Sequence, residues 1–236
     1  MKLLRLCATV SSLVVISLCC ERASAQSDAN MIPAARDFMS PERFIIELRG
    51  GPYQPDFDGQ AFDRFFEGDI GPFLGVQLSY IAYRLPEIAY LTVGGGFGWT
   101  NYSGSAVASA GGEDVSEETT LTLLPITAIA SLRIDALARL LKIPFIFVGK
   151  AGYQWTNWDT DTGEQDDAAG WSLGPIFAGQ IALDLDLIDS AAARSMDEEW
   201  GINHSSVFFE VYHFAPTAKS LPVGGTGWVL GLAFNF

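Results

Sequence analysis

His204, Ser206 and Glu210 fall on alternate positions of one stretch, His204-Ser-Ser-Val-Phe-Phe-Glu210. A histidine, a serine and a carboxylate are the residue types of a hydrolytic triad, in which the imidazole takes the hydroxyl proton. The spacing argues against that chemistry. Alternation implies an extended strand, and four residues at roughly 3.3 Å each carry Glu210 about 13 Å beyond Ser206. No catalytic residue is assigned and the chain is read as a non-enzyme, with a lipid-modifying esterase as the lesser alternative.

A second set could do electrostatic rather than covalent work. Glu47, Arg49, Arg133, Lys150, Asp184 and Glu210 each stand among small or polar residues that alternate with large apolar ones. If the face they share is enclosed, those charges must pair. The expectation is a charge cluster with Glu47, Arg49, Lys150 and Glu210 at similar depths and Arg133 and Asp184 lower: a fixed plug, or alternatively a gate.

Two further motifs lose their chemistry on inspection. Gly94-Gly-Gly-Phe-Gly98 has the composition of a phosphate loop, but no helical pattern follows it. Small residues there instead let a wall bend and let side chains approach. Asp159, Asp161, Glu164, Asp166 and Asp167 cluster, yet Gly163 stands where a calcium loop needs its third ligand. They read as a solvated loop. No metal and no cofactor is assigned.

Eight segments must position these groups. Phe44, Ile46 and Leu48 oppose Glu47 and Arg49. Leu74, Val76, Leu78 and Tyr80 oppose Gly75, Gln77 and Ser79. Leu91, Val93, Phe97 and Trp99 oppose Thr92, Gly94, Gly96 and Gly98. The fourth segment, about 119–133, is less regular, and Pro125 marks an expected bulge. Phe147, Ala151, Tyr153 and Trp155 oppose Lys150, Gln154 and Thr156; Trp171, Leu173, Phe177, Ile181 and Leu183 oppose Ser172, Gln180 and Asp184; Val207, Phe209 and Val211 oppose Ser206, Glu210 and Tyr212. The last segment sets Trp228, Leu230, Leu232, Phe234 and Phe236 on one face and ends the sequence there. Most segments are long enough to cross a bilayer at a tilt. Their length and their apolar excess put the apolar face toward lipid and the polar face in a lumen.

The expected fold is therefore all-β: an eight-stranded antiparallel transmembrane β-barrel. The odd connections are Gly-, Ser- or Pro-rich surface loops, the first three acidic. Of the even ones, Pro86-Glu87 reads as a tight turn, whereas 135–143 and 189–201 are longer and have helical spacing. Short helical segments are thus expected in two periplasmic turns. Trp99, Trp155, Trp158, Trp171 and Trp228 are assigned to an aromatic girdle at the loop-bearing interface. Tyr83, Tyr90, Phe44, Phe145 and Phe236 are assigned to the opposite one.

The ends and the composition agree. Lys2 and Arg5 precede an apolar run, and Ala23-Ser-Ala25 precedes Gln26, as in a cleavable signal peptide. The expected organisation is 1–25 signal peptide, 26–41 periplasmic leader and 42–236 barrel. All three cysteines, Cys7, Cys19 and Cys20, lie in the signal, so the mature chain can build neither a disulfide nor a thiolate zinc site. The formal charge is -14, which argues against nucleic acid as a partner. Mean hydropathy is nevertheless positive, at +0.21. The alternating aromatic terminus, Trp228 to Phe236, resembles the insertion signal read by the barrel-insertion machinery of the outer membrane.

The stretch Arg43-Phe-Ile-Ile-Glu-Leu-Arg-Gly-Gly-Pro-Tyr-Gln-Pro-Asp56, the pair Leu124-Pro125 with Arg133-Ile-Asp135, and Gly201-Ile-Asn-His-Ser-Ser-Val-Phe-Phe-Glu210 resemble a family of uncharacterised outer-membrane β-barrel proteins of myxobacteria and related deltaproteobacteria. The resemblance implies fold and outer-membrane location and lends no activity. Function is expected to be structural or surface-interacting, with outer-membrane lipid and lipopolysaccharide as partners and a side-chain-filled lumen. A narrow gated channel for small solutes is the alternative.

Overall fold

The computed structural model describes residues 42–55, 70–86, 88–106, 117–161, 168–217 and 223–236. The expected signal, the leader and all three cysteines lie outside these residues, as do Glu164, Asp166 and Asp167 of the acidic loop.

Eight strands close into one antiparallel barrel in sequence order. They are β1 (Phe44–Tyr53), β2 (Gly71–Leu85), β3 (Ala89–Ala106), β4 (Glu117–Ile134), β5 (Phe145–Asp161), β6 (Ala168–Asp184), β7 (His204–Phe214) and β8 (Gly225–Asn235). β1 pairs with β8, so every strand has two neighbours and no edge is left to seek a partner. Phe236 completes the seam: its N–H donates to the Phe44 carbonyl at 2.8 Å, and its carbonyl accepts from the Phe44 N–H at 3.0 Å.

The barrel is inside out relative to a soluble sheet. Leu48, Leu74, Leu78, Phe97, Phe177 and Leu230 are about half exposed on the outer wall. Glu47, Gln77, Arg133, Lys150, Gln180 and Glu210 are almost wholly buried within. Such a wall has its low free energy in lipid, where closure also satisfies the backbone groups.

Strand register fixes what meets inside. Partners followed from Phe44 through Tyr80, Val93, Ala130, Ala151, Phe177, His213 and Thr226 return to β1 about ten residues beyond the start once the β1–β8 register is continued. This stagger tilts the strands. Residues at one depth are consequently offset along the ladder, which brings Lys150 of β5 level with Glu47 of β1.

Three sequence expectations change. Pro125 makes no bulge, because Phe97↔Ile126 and Thr100↔Leu123 keep one register on either side of it. The irregularity lies instead between Ile81 and Tyr83 of β2, opposite Leu91–Thr92. The segment 135–143 is only a single π-helical turn, Leu137–Leu141. The other expected helix is present as α1 (Ser190–Trp200), capped by the Asp189 side chain on the N–H groups of Ala191 and Ala192 and ended by Gly201 at φ +68°.

Candidate functional site: the lumen charge layer

Five charged side chains join across the lumen in one alternating chain. Arg49 Nη2 donates to Glu210 Oε1. Lys150 Nζ lies 2.8 Å from Glu210 Oε2 and donates to Glu47 Oε2. Arg133 Nη1 donates to Glu47 Oε1 at 3.2 Å. The order Arg49, Glu210, Lys150, Glu47, Arg133 runs plus, minus, plus, minus, plus and carries a net +1. The strands that supply it are β1, β7, β5 and β4. Arg49 is 9% exposed and the other four side chains are at most 3% exposed. Pairing is what makes such burial tolerable.

Neighbours hold the chain in place. Lys150 Nζ sits 5.7 Å from the centre of the Phe208 ring, and the Arg133 guanidinium lies 5.8 Å from that of Tyr90. The Phe208 ring can lie against β8 only because residue 231 is glycine: a Cβ there would be 2.4 Å from the ring and 2.2 Å from the Leu48 carbonyl. Each glutamate also faces a glutamine across its ladder, Glu47↔Gln77 and Glu210↔Gln180. Gln180 is 3% exposed, and its side-chain N and O make no hydrogen bond. Such groups are ready partners for water or for a rearranged glutamate.

Of the six residues expected in the cluster, five come together and Asp184 does not. It is the last residue of β6, and its Oδ1 accepts from the Asp186 N–H at 3.1 Å in the turn that follows. Toward the loop-bearing end, a small cleft opens above Arg49, lined by Tyr53, Phe73, Thr100, Gln154 and Tyr212 among others.

The esterase constellation is not assembled. Both ring nitrogens of His204 face carboxylates: Nδ1 is 2.5 Å from Asp186 Oδ2 and Nε2 is 2.9 Å from Glu42 Oε1. Neither is left for Ser206, and Glu210 is held by Arg49 and Lys150. Glu42 also accepts from Arg84 at 2.6 Å. Burial acts to raise the Glu42 pKa, but His204 and Arg84 outweigh it and hold the carboxyl at about 2. The sequence reading missed this Glu42–His204–Asp186 group because its members are 18 to 162 positions apart.

The aromatic assignments divide by strand parity. Trp99, Trp155, Trp171 and Trp228 are 39–51% exposed on the outer wall. Trp158 is turned inward instead, sharing the face of Thr156, with its ring against Gly170. Tyr90 likewise lies inside at 3% exposure, where its hydroxyl accepts from Asn235 Nδ2 at 3.4 Å. Height along the strand suits both to a girdle, but alternation decides the face.

No protein-family model matches the chain, and no curated protein matches it in sequence. Solved structures do resemble it in fold. Ail, the attachment invasion locus protein of Yersinia pestis, crystallised with the heparin analogue sucrose octasulfate, superposes with a TM-score of 0.50 at 10% identity over 84% of this chain and 100% of that one. Neisserial surface protein A superposes with a TM-score of 0.47 at 13% identity over 82% of this chain and 97% of that one. What this chain shares with the Ail structure is the fold, a closed eight-stranded antiparallel barrel.

Proposed function

We propose that the chain is an outer-membrane barrel of the family that its opening and Gly201–Glu210 motifs resemble. On this reading a signal peptide over 1–25 exports it and the terminal aromatic pattern directs its insertion. Its role is structural or surface-interacting, and its lumen is sealed by a salt-bridge plug. The single observation that supports the seal is the five-residue chain from Arg49 to Arg133, which spans the lumen with every charge opposed. An eight-stranded barrel is just wide enough for side chains to fill it.

The surface loops would make the contacts, with outer-membrane lipid and lipopolysaccharide as surroundings. Asp159 and Asp161 stand exposed at the end of β5 and suit loose divalent bridging to lipopolysaccharide phosphates. The structure of Ail includes a sulfated sugar. A chain of formal charge -14 is not suited to such a polyanion, so that ligand class is not carried over.

The second reading is a narrow gate. What favours it is the unengaged side-chain amide of Gln180 beside Glu210, because it offers that carboxylate an alternative partner. Planar-bilayer recording of the refolded protein separates the two. The plug predicts silence under applied voltage. Frequent small openings that vanish when Glu210 and Lys150 are replaced together would establish the gate.

A further inference from the structure

We propose that Asp184, Asp186 and His204 form a binding site for a divalent transition cation of the zinc class at the end of the barrel where β1 begins and β8 ends.

The three residues come from one corner of the fold. Asp184 ends β6, Asp186 follows in the turn, and His204 begins β7. One ligand atom from each lies within 4.8 Å of the other two. Two donors on a tetrahedral cation with bonds of about 2.1 Å stand roughly 3.4 Å apart. Side-chain adjustment of up to about 1.4 Å therefore closes the set.

The surroundings are those of a supported ligand set. A metal-bound histidine characteristically gives its other ring N–H to a carboxylate. Here His204 Nδ1 faces Asp186 Oδ2 while Nε2 faces Glu42 Oε1. Asp186 Oδ1 is held by the backbone N–H and the hydroxyl of Ser205, both at 3.2 Å, which aims Oδ2 at the histidine. Asp184 is steadied through Oδ1 by the Asp186 N–H.

Charge supplies an independent argument. Asp184 is 8% exposed and forms no ion pair among the described residues. Glu42, Asp184 and Asp186 bring three carboxylates to a corner where they meet the guanidinium of Arg84 and the His204 ring. A dication on the ring Nδ1 supplies positive charge to that carboxylate-rich set. One imidazole with two carboxylates and room for water suits Zn²⁺, Co²⁺ or Mn²⁺ better than Ca²⁺ or Mg²⁺, which favour all-oxygen sites.

The test is metal titration of tag-free, chelator-treated protein refolded in detergent, with Zn²⁺ followed by calorimetry and Cu²⁺ by electron paramagnetic resonance. The chain has two histidines, His204 and His213. One strong site is expected, with imidazole coupling that His204→Gln abolishes and His213→Gln leaves intact. Asp184→Asn should weaken binding at least tenfold, and Glu42→Gln by about 10–100-fold through loss of the outer partner. Detergent-gel mobility reports whether each variant is folded, and Asp184→Asn carries the test if His204→Gln does not fold. Absence of a strong site in the wild type, or affinity unchanged in folded Asp184→Asn, would overturn the assignment.

Discussion

Lys150 on β5 reaches Glu47 on β1, the wall directly opposite in an eight-stranded barrel, and the same ammonium lies 2.8 Å from Glu210 on β7. Two buried carboxylates thus share one cation, and each also has an arginine of its own, Arg133 for Glu47 and Arg49 for Glu210. The lumen is tied across its width by side chains that carry full charge. Its cohesion is electrostatic where the core of a soluble protein of this size would be apolar.

The inward turn of Trp158 can be checked by fluorescence. In single-tryptophan proteins refolded into vesicles of brominated phospholipid, Trp155 and Trp171 should be strongly quenched, since both are about half exposed on the outer wall. Trp158 should be quenched much less, because β5 parity places it with Thr156 inside. Equal quenching at positions 155 and 158 would mean that residue 158 faces lipid.

Gly231 should tolerate no larger residue. A Cβ at that position meets the Phe208 ring and the Leu48 carbonyl well inside contact distance. Relief would have to displace the ring that lies beside Lys150. Gly231→Val should cost at least the about 1–3 kcal/mol typical of overpacking. Gly179→Val is the control, since nothing lies within 4 Å of a Cβ there. Urea unfolding of the two variants in the same vesicles gives the comparison.

The seam makes a separate prediction. Phe236 contributes two backbone hydrogen bonds to Phe44 as well as its ring. Deleting Phe236 should therefore reduce both insertion and the stability of any barrel that forms. Phe236→Ser keeps the backbone bonds and should affect insertion alone. Cell fractionation reads the first effect, and the temperature at which gel mobility shifts reads the second. Normal membrane levels with the deletion would make the terminus an ordinary strand.

Period-two alternation made the barrel legible, because every segment that crosses lipid must set an apolar residue on one face and a small or polar one on the other. Glu47, Arg49, Lys150 and Glu210 could be grouped for the same reason: their depth follows from strand position. Asp184 was misplaced because parity shows the face a residue takes and not how far its side chain reaches. Asp184 turns to the Asp186 N–H in its own turn. Trp158 and Tyr90 face inward because strand parity, and not the preference of aromatic rings for interfaces, sets the face. The Glu42–His204–Asp186 group was illegible for a different reason. It forms where the chain before β1 meets the β6–β7 connection, and that meeting exists only once the barrel has closed.

The worth of the central pair is best measured by a double-mutant cycle on Lys150 and Glu47. Lys150→Met alone leaves Glu47 and Glu210 with one arginine each. Glu47→Gln alone removes the partner of Arg133, which is 2% exposed and whose Nε already makes no hydrogen bond. Breaking a buried pair from one side costs about 3–5 kcal/mol when dry, and less where water enters. Glu47→Gln should be the more damaging single change, because it strands Arg133 as well as weakening the hold on Lys150. The double variant should recover part of the sum, a coupling of about 0.5–3 kcal/mol for groups in contact. Measured by urea unfolding in vesicles, strict additivity would mean that Lys150 and Glu47 are solvated separately. The lumen would then be a wet channel lined with charges, and the plug reading would fall with it.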